Sequence, residues 1–196
     1  MKAGRKMSET ETFAGLRRLL ARMRARSRAG SAAIEFAMVA PVFFLFIFGT
    51  IETGVIYFAG TALQNATDDA ARMVRTGQAV GMTQAQFKSQ ICGELSGLIS
   101  ATTCTTNLQI DIRQYNTFSA ASYPSVTNAN GSLATGSMQY PATLSPCEVV
   151  LVRSFYPWSI ITPLMQPLLE NMPNGQYLLA AAAAFRSEPY TSGAAC

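Results

Sequence analysis

From Phe36 to Ile51 sixteen consecutive residues carry no charge, and Glu35 and Glu52 close the run at its two ends. Coiled as an α-helix, such a run covers about 24 Å. The hydrocarbon core of a bilayer is about 30 Å thick. Adding Ile34 and Thr53–Phe58 makes the segment long enough to span, provided the two carboxylates snorkel or find partners. A chain built around this segment must place it in a bilayer or against other subunits.

Charge gives the segment a direction. Residues 1–30 hold nine Lys/Arg against two Glu, a formal +7, and the rest of the chain holds six Lys/Arg against nine Asp/Glu, a formal −3. Arg17, Arg18, Arg22, Arg24, Arg26 and Arg28 crowd the second half of this leader. Basic residues flanking a span stay on the cytoplasmic side. Residues 1–30 therefore read as a basic cytoplasmic leader, mostly a disordered tail, with Leu16, Leu19, Leu20 and Met23 offering a short amphipathic alternative. A basic arm also suits phosphate backbones, but here the apolar run follows it almost at once, so membrane orientation is the better account and no nucleic-acid partner is expected.

The helical pattern continues past the apolar run. Ala62, Leu63, Ala66, Ala70 and Met73 recur at spacings of three and four. Asp68 and Arg72 stand at i, i+4, the orientation that favours an ion pair. Gly77 is a natural stop. One helix over residues 31–76 is expected, about 70 Å long. A second helix is expected from Thr83, its N-cap, to Ile99, with Phe87, Ile91, Leu95 and Leu98 on its apolar face.

Residues 77–196 read as an α+β domain built on a small antiparallel sheet. Asn107–Tyr115 alternates Leu108, Ile110 and Ile112 with Gln109, Asp111 and Arg113, the pattern of a half-buried strand. Glu148–Tyr156 is β-branched and aromatic. Tyr177–Arg186 has an alanine run of helical propensity, but Asn174-Gly175 marks a turn before it, and its context favours a strand. Pro163–Met172 suggests a turn of helix. Residues 114–147 contain no charge and many Ser, Thr, Asn and Gly, which predicts a long surface loop. Asp68, Asp69, Glu94 and Asp111 read as solvated carboxylates, not as a metal or hydrolase site, and Trp158 as a core or surface anchor. Asn65-Ala66-Thr67 and Asn130-Gly131-Ser132 match glycosylation sequons, to which no role is given.

Composition narrows the chemistry. The chain has no histidine, which removes His-based nucleophile activation and His metal ligands. No nucleophile, phosphate or cofactor motif is present, so catalytic residues, metal and cofactor are all read as none. The four cysteines, Cys92, Cys104, Cys147 and Cys196, all follow the apolar run and form no C-x-x-C pair. On an exported side an even number suggests disulfides. Three pairings exist for four cysteines; the preferred one is Cys92–Cys104, closing a short loop, with Cys147–Cys196 tying the last segment to the second strand.

The most specific stretch is Arg28-Ala29-Gly30-Ser31-Ala32-Ala33-Ile34-Glu35-Phe36. A basic leader ends in Gly, a small residue follows, and a carboxylate comes five positions after the Gly. This resembles the cleavage sites of type IV prepilin peptidases, with the cut between Gly30 and Ser31. Gly30-x-Ala32-x-x-Glu35-Phe36, then Pro41, the aromatic run Val42–Phe48 and the exit Phe48-Gly49-x-x-Glu52-x-Gly54 together resemble the TadE-like pseudopilins of tight-adherence (type IV-like) pili. Ala66, Asp69, Ala71 and Arg72 extend the likeness to about residue 76. The close Phe185-Arg186-Ser187-Glu188-Pro189-Tyr190 is similar to the aromatic-R-N-E-P-aromatic end of related pseudopilins, with Ser in place of Asn.

The resemblance implies a type IV pilin-like fold and a minor structural or assembly subunit of the pilus. It implies a single pass through a bacterial inner membrane, with the C-terminal domain periplasmic and entry into an extracellular pilus. The partners it implies are a prepilin peptidase, other pilins and pseudopilins, inner-membrane platform proteins and membrane lipid. Cleavage would create an amine on Ser31. Glu35 at the membrane edge is costly if unpaired, on the order of 3 kcal/mol, and the implied role is to pair with that amine across subunits. For Glu52 the readings are a snorkelling carboxylate or a contact with a neighbouring protein. For Pro41 they are a kink or a point of melting on extraction. The rivals are a membrane-anchored periplasmic enzyme or binding domain, and a secreted protein cut near Ala62.

Overall fold

The computed structural model describes residues 9–141, 143–190 and 196. The first eight residues of the leader, and the side chains of its Arg cluster, lie outside the described part. The chain divides into two compact units, one ending at Phe48 and the other comprising Gly49–Cys196.

Helix α1 runs over Glu9–Arg75, through Gly30 and Pro41. The expected start at residue 31 is thus too late, and the leader continues the helix. Leu, Ala, Arg and Met between Glu9 and Gly30 are strong helix formers, and no proline interrupts them. In the first unit most apolar side chains from Ile34 to Phe48 are exposed, with Ala40 and Leu45 half-buried, as a lipid-facing or subunit-facing helix requires. Phe44 and Phe48, one turn apart, stack at 6.0 Å.

The second unit has one apolar core. Along α1 the buried stripe is Ile56, Ala59, Leu63, Ala66, Ala70 and Val74, at helical spacing of three and four. Its alanines let the sheet come close, and Leu63 fills the space between them. Burial of one such leucine contributes ~1.5–3 kcal/mol. α1 ends where Gly77 takes φ +78°, a conformation that costs other residues about 1–2 kcal/mol. Asp68 and Arg72 do not pair. Gln64 Nε2 donates to Asp68 Oδ1 at 3.0 Å instead, because Gln64 lies one turn before it.

Helix α2, Gln84–Glu94, begins at Thr83 with a reciprocal capping box to Gln86. It ends five residues earlier than expected, at the Ser96-Gly97 turn. A short helix not anticipated from the sequence, α3, follows over Ala101–Asn107, capped by the Ser100 hydroxyl. Cys92 on α2 and Cys104 on α3 are joined, with 1.93 Å between the sulfurs, as the spacing predicts.

Strands β1 (Gln109–Tyr115), β2 (Val149–Ser159) and β3 (Gln176–Arg186) form an antiparallel sheet in that order. Between β2 and β3 lie a 3-10 turn, Pro163–Met165, and the single-turn α4, Gln166–Leu169. Asn174 and Gly175 both take positive φ and turn the chain into β3. The alanine run is therefore a strand, paired along its length with β2.

Ile110, Ile112, Val150, Val152, Tyr156, Leu179 and Ala181 face α1 and share its core. The opposite face was expected to be wet, and over β1 and β2 it is not. Asp111 is fully buried there, and Arg153 nearly so. The long uncharged segment after β1 covers this face and is tied to it by hydrogen bonds. Gln139 N–H donates to Asp111 Oδ1 at 2.8 Å, Arg153 Nη1 donates to Pro124 O at 2.9 Å, and Arg113 Nη2 donates to Ser137 O at 2.7 Å. Arg113 and Arg153 both pair with the Asp111 carboxylate. The solvated reading of Asp111 is thus corrected. Trp158 packs at the edge of the core, 6.3 Å ring to ring from Tyr156.

Candidate processing and assembly site

The motif residues singled out by the sequence gather at three places along α1. The first is the start of its apolar part. Gly30 has open space where a side chain would stand. Ser31 Oγ donates to Glu35 Oε1 at 2.9 Å, one turn on, and Glu35 is exposed. The Gly30–Ser31 bond is inside the helix. A protease needs its substrate strand extended, and glycine is the residue that leaves a helix most readily after proline, by about 1 kcal/mol relative to alanine.

The second place is the exit of the apolar run, Gly49–Glu52. Glu52 is only 7% exposed. Its Oε1 accepts the Ile161 N–H at 3.1 Å, and its Oε2 accepts the Thr162 N–H at 3.2 Å and the Thr162 hydroxyl at 3.0 Å. Gly49, one turn earlier, is buried under Met165, whose sulfur would lie 2.9 Å from any Cβ placed there. The glycine admits the thioether and the carboxylate satisfies the loop that carries it. Glu52 therefore does not snorkel, and its hydrogen-bond partners lie in its own chain. Sequence reasoning could not find them, because they stand 109 and 110 positions later.

The third place is the end of α1. Glu188 N–H donates to Arg75 O at 2.9 Å, and the Glu188 carboxylate lies 3.2 Å from Arg75 Nε. Ser187 donates its N–H and hydroxyl to Glu148 O, and its hydroxyl also reaches Ser145 O. Tyr190 OH donates to Leu144 O at 2.7 Å, and its ring fills the space that a side chain at Gly77 would need. Cys147 Sγ lies 1.96 Å from Cys196 Sγ.

None of these places collects catalytic groups. Among the described residues no three His, Cys, Asp or Glu side chains gather as a metal site would require. A cleft of about 380 Å³ beside α1 includes Asp69, Arg72 and Glu94 in its lining.

Residues 30–72 match the family model described as TadE-like protein. Over this segment the chain is similar to the TadE-like family. The match opens at Gly30 and takes in both carboxylates of the apolar run. Searches of curated proteins and of solved structures each found no match. The TadE-like segment coincides with the one helix, among the described residues, that is long and apolar enough to cross a membrane. It is followed by the three-stranded sheet, so the architecture is an α+β one consistent with a pilin-like fold.

Proposed function

We propose that this chain is a minor pseudopilin of a tight-adherence pilus, a structural and assembly subunit and not a catalyst. It is held in the bacterial inner membrane by α1, with the leader cytoplasmic and the sheet domain periplasmic, and is cut after Gly30 by a prepilin peptidase before joining other pilins on the inner-membrane platform. The observation that carries this reading is that the TadE-like match begins at the Gly-Ser-(x)3-Glu start of the apolar run.

The chemistry follows from Glu35. Before cleavage its only hydrogen-bond partner among the described residues is the Ser31 hydroxyl, which offers a dipole but no charge. After cleavage Ser31 carries a cationic amine. Pairing that amine with Glu35 of a subunit already in place offsets the cost of a carboxylate at the membrane edge, and it fixes the register of adjacent helices. Assembly then depends on processing, because the partner charge exists only on cut chains.

Glu35→Ala tests this in a piliated strain. Membrane insertion and cleavage should persist, since the substitution removes a costly charge. Co-purification with the pilus machinery should be lost, and Glu35→Gln, being neutral, should fail in the same way. A correctly cleaved Glu35→Ala chain that assembles normally would overturn the pairing role.

A further inference from the structure

The segment between β2 and β3 is an apolar projection fastened to α1. From Ile160 to Leu169 it carries no charge. Ile160 is buried and Met165 packs inward over Gly49, while Ile161, Leu164 and Leu168 stand 78%, 72% and 76% exposed. Three large aliphatic side chains in one short turn are a poor water-facing surface. Glu52 and Gly49, which hold the segment, belong to the apolar run of α1, where Ile51, Tyr57 and Phe58 are also exposed.

We infer that Ile161, Leu164 and Leu168 dip into the outer membrane–water boundary of the same bilayer that α1 crosses, giving the chain a second, monotopic lipid contact. The inference rests on the membrane-spanning reading of α1. Its support is the packing around Gly49 and Glu52 and not the Gly30–Glu35 cleavage pattern. The segment is docked by Glu52 and Gly49 at the end of the apolar run, beside the exposed Ile51. Aromatic residues that favour the interface stand beside it. Trp158 and Tyr177 are cross-strand partners next to the segment, and Tyr177 lines an apolar cleft with Tyr57 of α1. Such residues mark the headgroup level. Glu52 also becomes intelligible: a carboxylate at that depth needs its lone pairs occupied, and the two backbone N–H groups and one hydroxyl of the segment occupy them. The occupant is lipid because the exposed groups are aliphatic, uncharged and anchored to the end of the apolar run at Gly49 and Glu52.

The test uses the full chain in vesicles of phosphatidylethanolamine and phosphatidylglycerol whose acyl chains carry bromine, in separate preparations, near the headgroup end and near the bilayer centre, and each position is scored by its stronger quenching. In a Trp158→Phe background, single tryptophans are placed by Leu164→Trp and, separately, Leu168→Trp. Phe44→Trp reports the span, and Tyr123→Trp, on the covering loop, reports water. All four positions are exposed, and circular dichroism checks each fold. The inference expects blue-shifted emission at 164 and 168, with bromine quenching comparable to position 44 and iodide shielding well above position 123. Quenching at 44 together with iodide-accessible, unquenched signals at both 164 and 168 overturns the lipid contact and leaves the span intact. Absent quenching at 44 overturns the span and this inference with it. Shielding at 164 and 168 that vanishes as the protein is diluted in lipid assigns the surface to a second copy, and also overturns it.

Discussion

Glu188 and Arg75 meet through the backbone as well as the side chains: the Glu188 N–H donates to Arg75 O at 2.9 Å, and the two charged groups are 3.2 Å apart. The helix that carries the TadE-like match and the Phe185–Tyr190 stretch are thus joined at the end of α1. Beside them Gly77 turns the chain under Tyr190.

The magnitudes there decide which residue matters. Both side chains of the Arg75–Glu188 pair are about half exposed, and such pairs contribute ~0.2–1 kcal/mol. Glu188→Ala should therefore cost little, since its backbone bond remains. Gly77→Ala should cost more, about 1–2 kcal/mol from the left-handed backbone alone, plus the collision with Tyr190. Denaturant titration of the reconstituted chain ranks the two, and a Tyr190→Ala partner should recover the collision part only. The reverse ranking would contradict this account.

Asp111 makes the covered face of the sheet sensitive to acid. Burial alone would raise its pKa, but hydrogen bonds from Arg113, Arg153 and the Gln139 N–H outweigh burial and lower it. A carboxyl whose folded pKa lies below its unfolded value of about 3.9 adds stability that is complete above that pH. The stability is lost as pH falls through the folded value. Asp111→Asn leaves Arg153 buried beside a neutral group, a loss of ~3–5 kcal/mol, and should remove this acid-dependent part of the stability. Unfolding midpoints measured from pH 7 down to pH 2 test both points; an acid limb unchanged in the mutant would contradict them.

Glu52 supplies a sharper contrast. Glu52→Ala strips the Ile161 and Thr162 N–H groups of their acceptor, and an orphaned buried donor costs about 1–3 kcal/mol. Hydrogen exchange over residues 160–169 should accelerate in Glu52→Ala. Glu52→Gln keeps one carbonyl oxygen and should fall between the two. Equal exchange in all three would mean that the carboxylate holds nothing.

The disulfides divide by what they close. Non-reducing peptide mapping should recover Cys92 with Cys104 and Cys147 with Cys196. Opening the first by Cys92→Ser with Cys104→Ser should lower stability by roughly 3 kcal/mol on the chain-entropy estimate. Free thiols, or a Cys92–Cys147 peptide, would contradict the pairing.

Local patterns carried much of this fold in the sequence. The Leu63–Ala66–Ala70 spacing, the Thr83 cap, the Ile110/Ile112 alternation and Asn174-Gly175 each act over a few residues, and each forms the element that its pattern suggests. What the sequence concealed depends on contacts between distant residues. Asp111 alternates as a water-facing residue should, and only the loop that returns through Pro124, Ser137 and Gln139 buries it. Glu52 reads as a membrane-edge carboxylate until the turn after β2 comes back to it. Asp68 and Arg72 have the spacing of an ion pair, but Gln64 is closer to hand. At the start of the apolar run, the roles proposed for Gly30, Ser31 and Glu35 rest on local spacing alone, and the fold adds only the Ser31–Glu35 hydrogen bond.

The most direct measurement is the first residue of the mature protein in its native membrane. Intact mass and N-terminal peptide sequencing should give Ser31, and Gly30→Leu should leave a precursor larger by about 3 kDa, because a side chain there denies the peptidase a bare backbone. Met1 at the start of the membrane-resident chain, or a first residue near Ala62, would contradict the account.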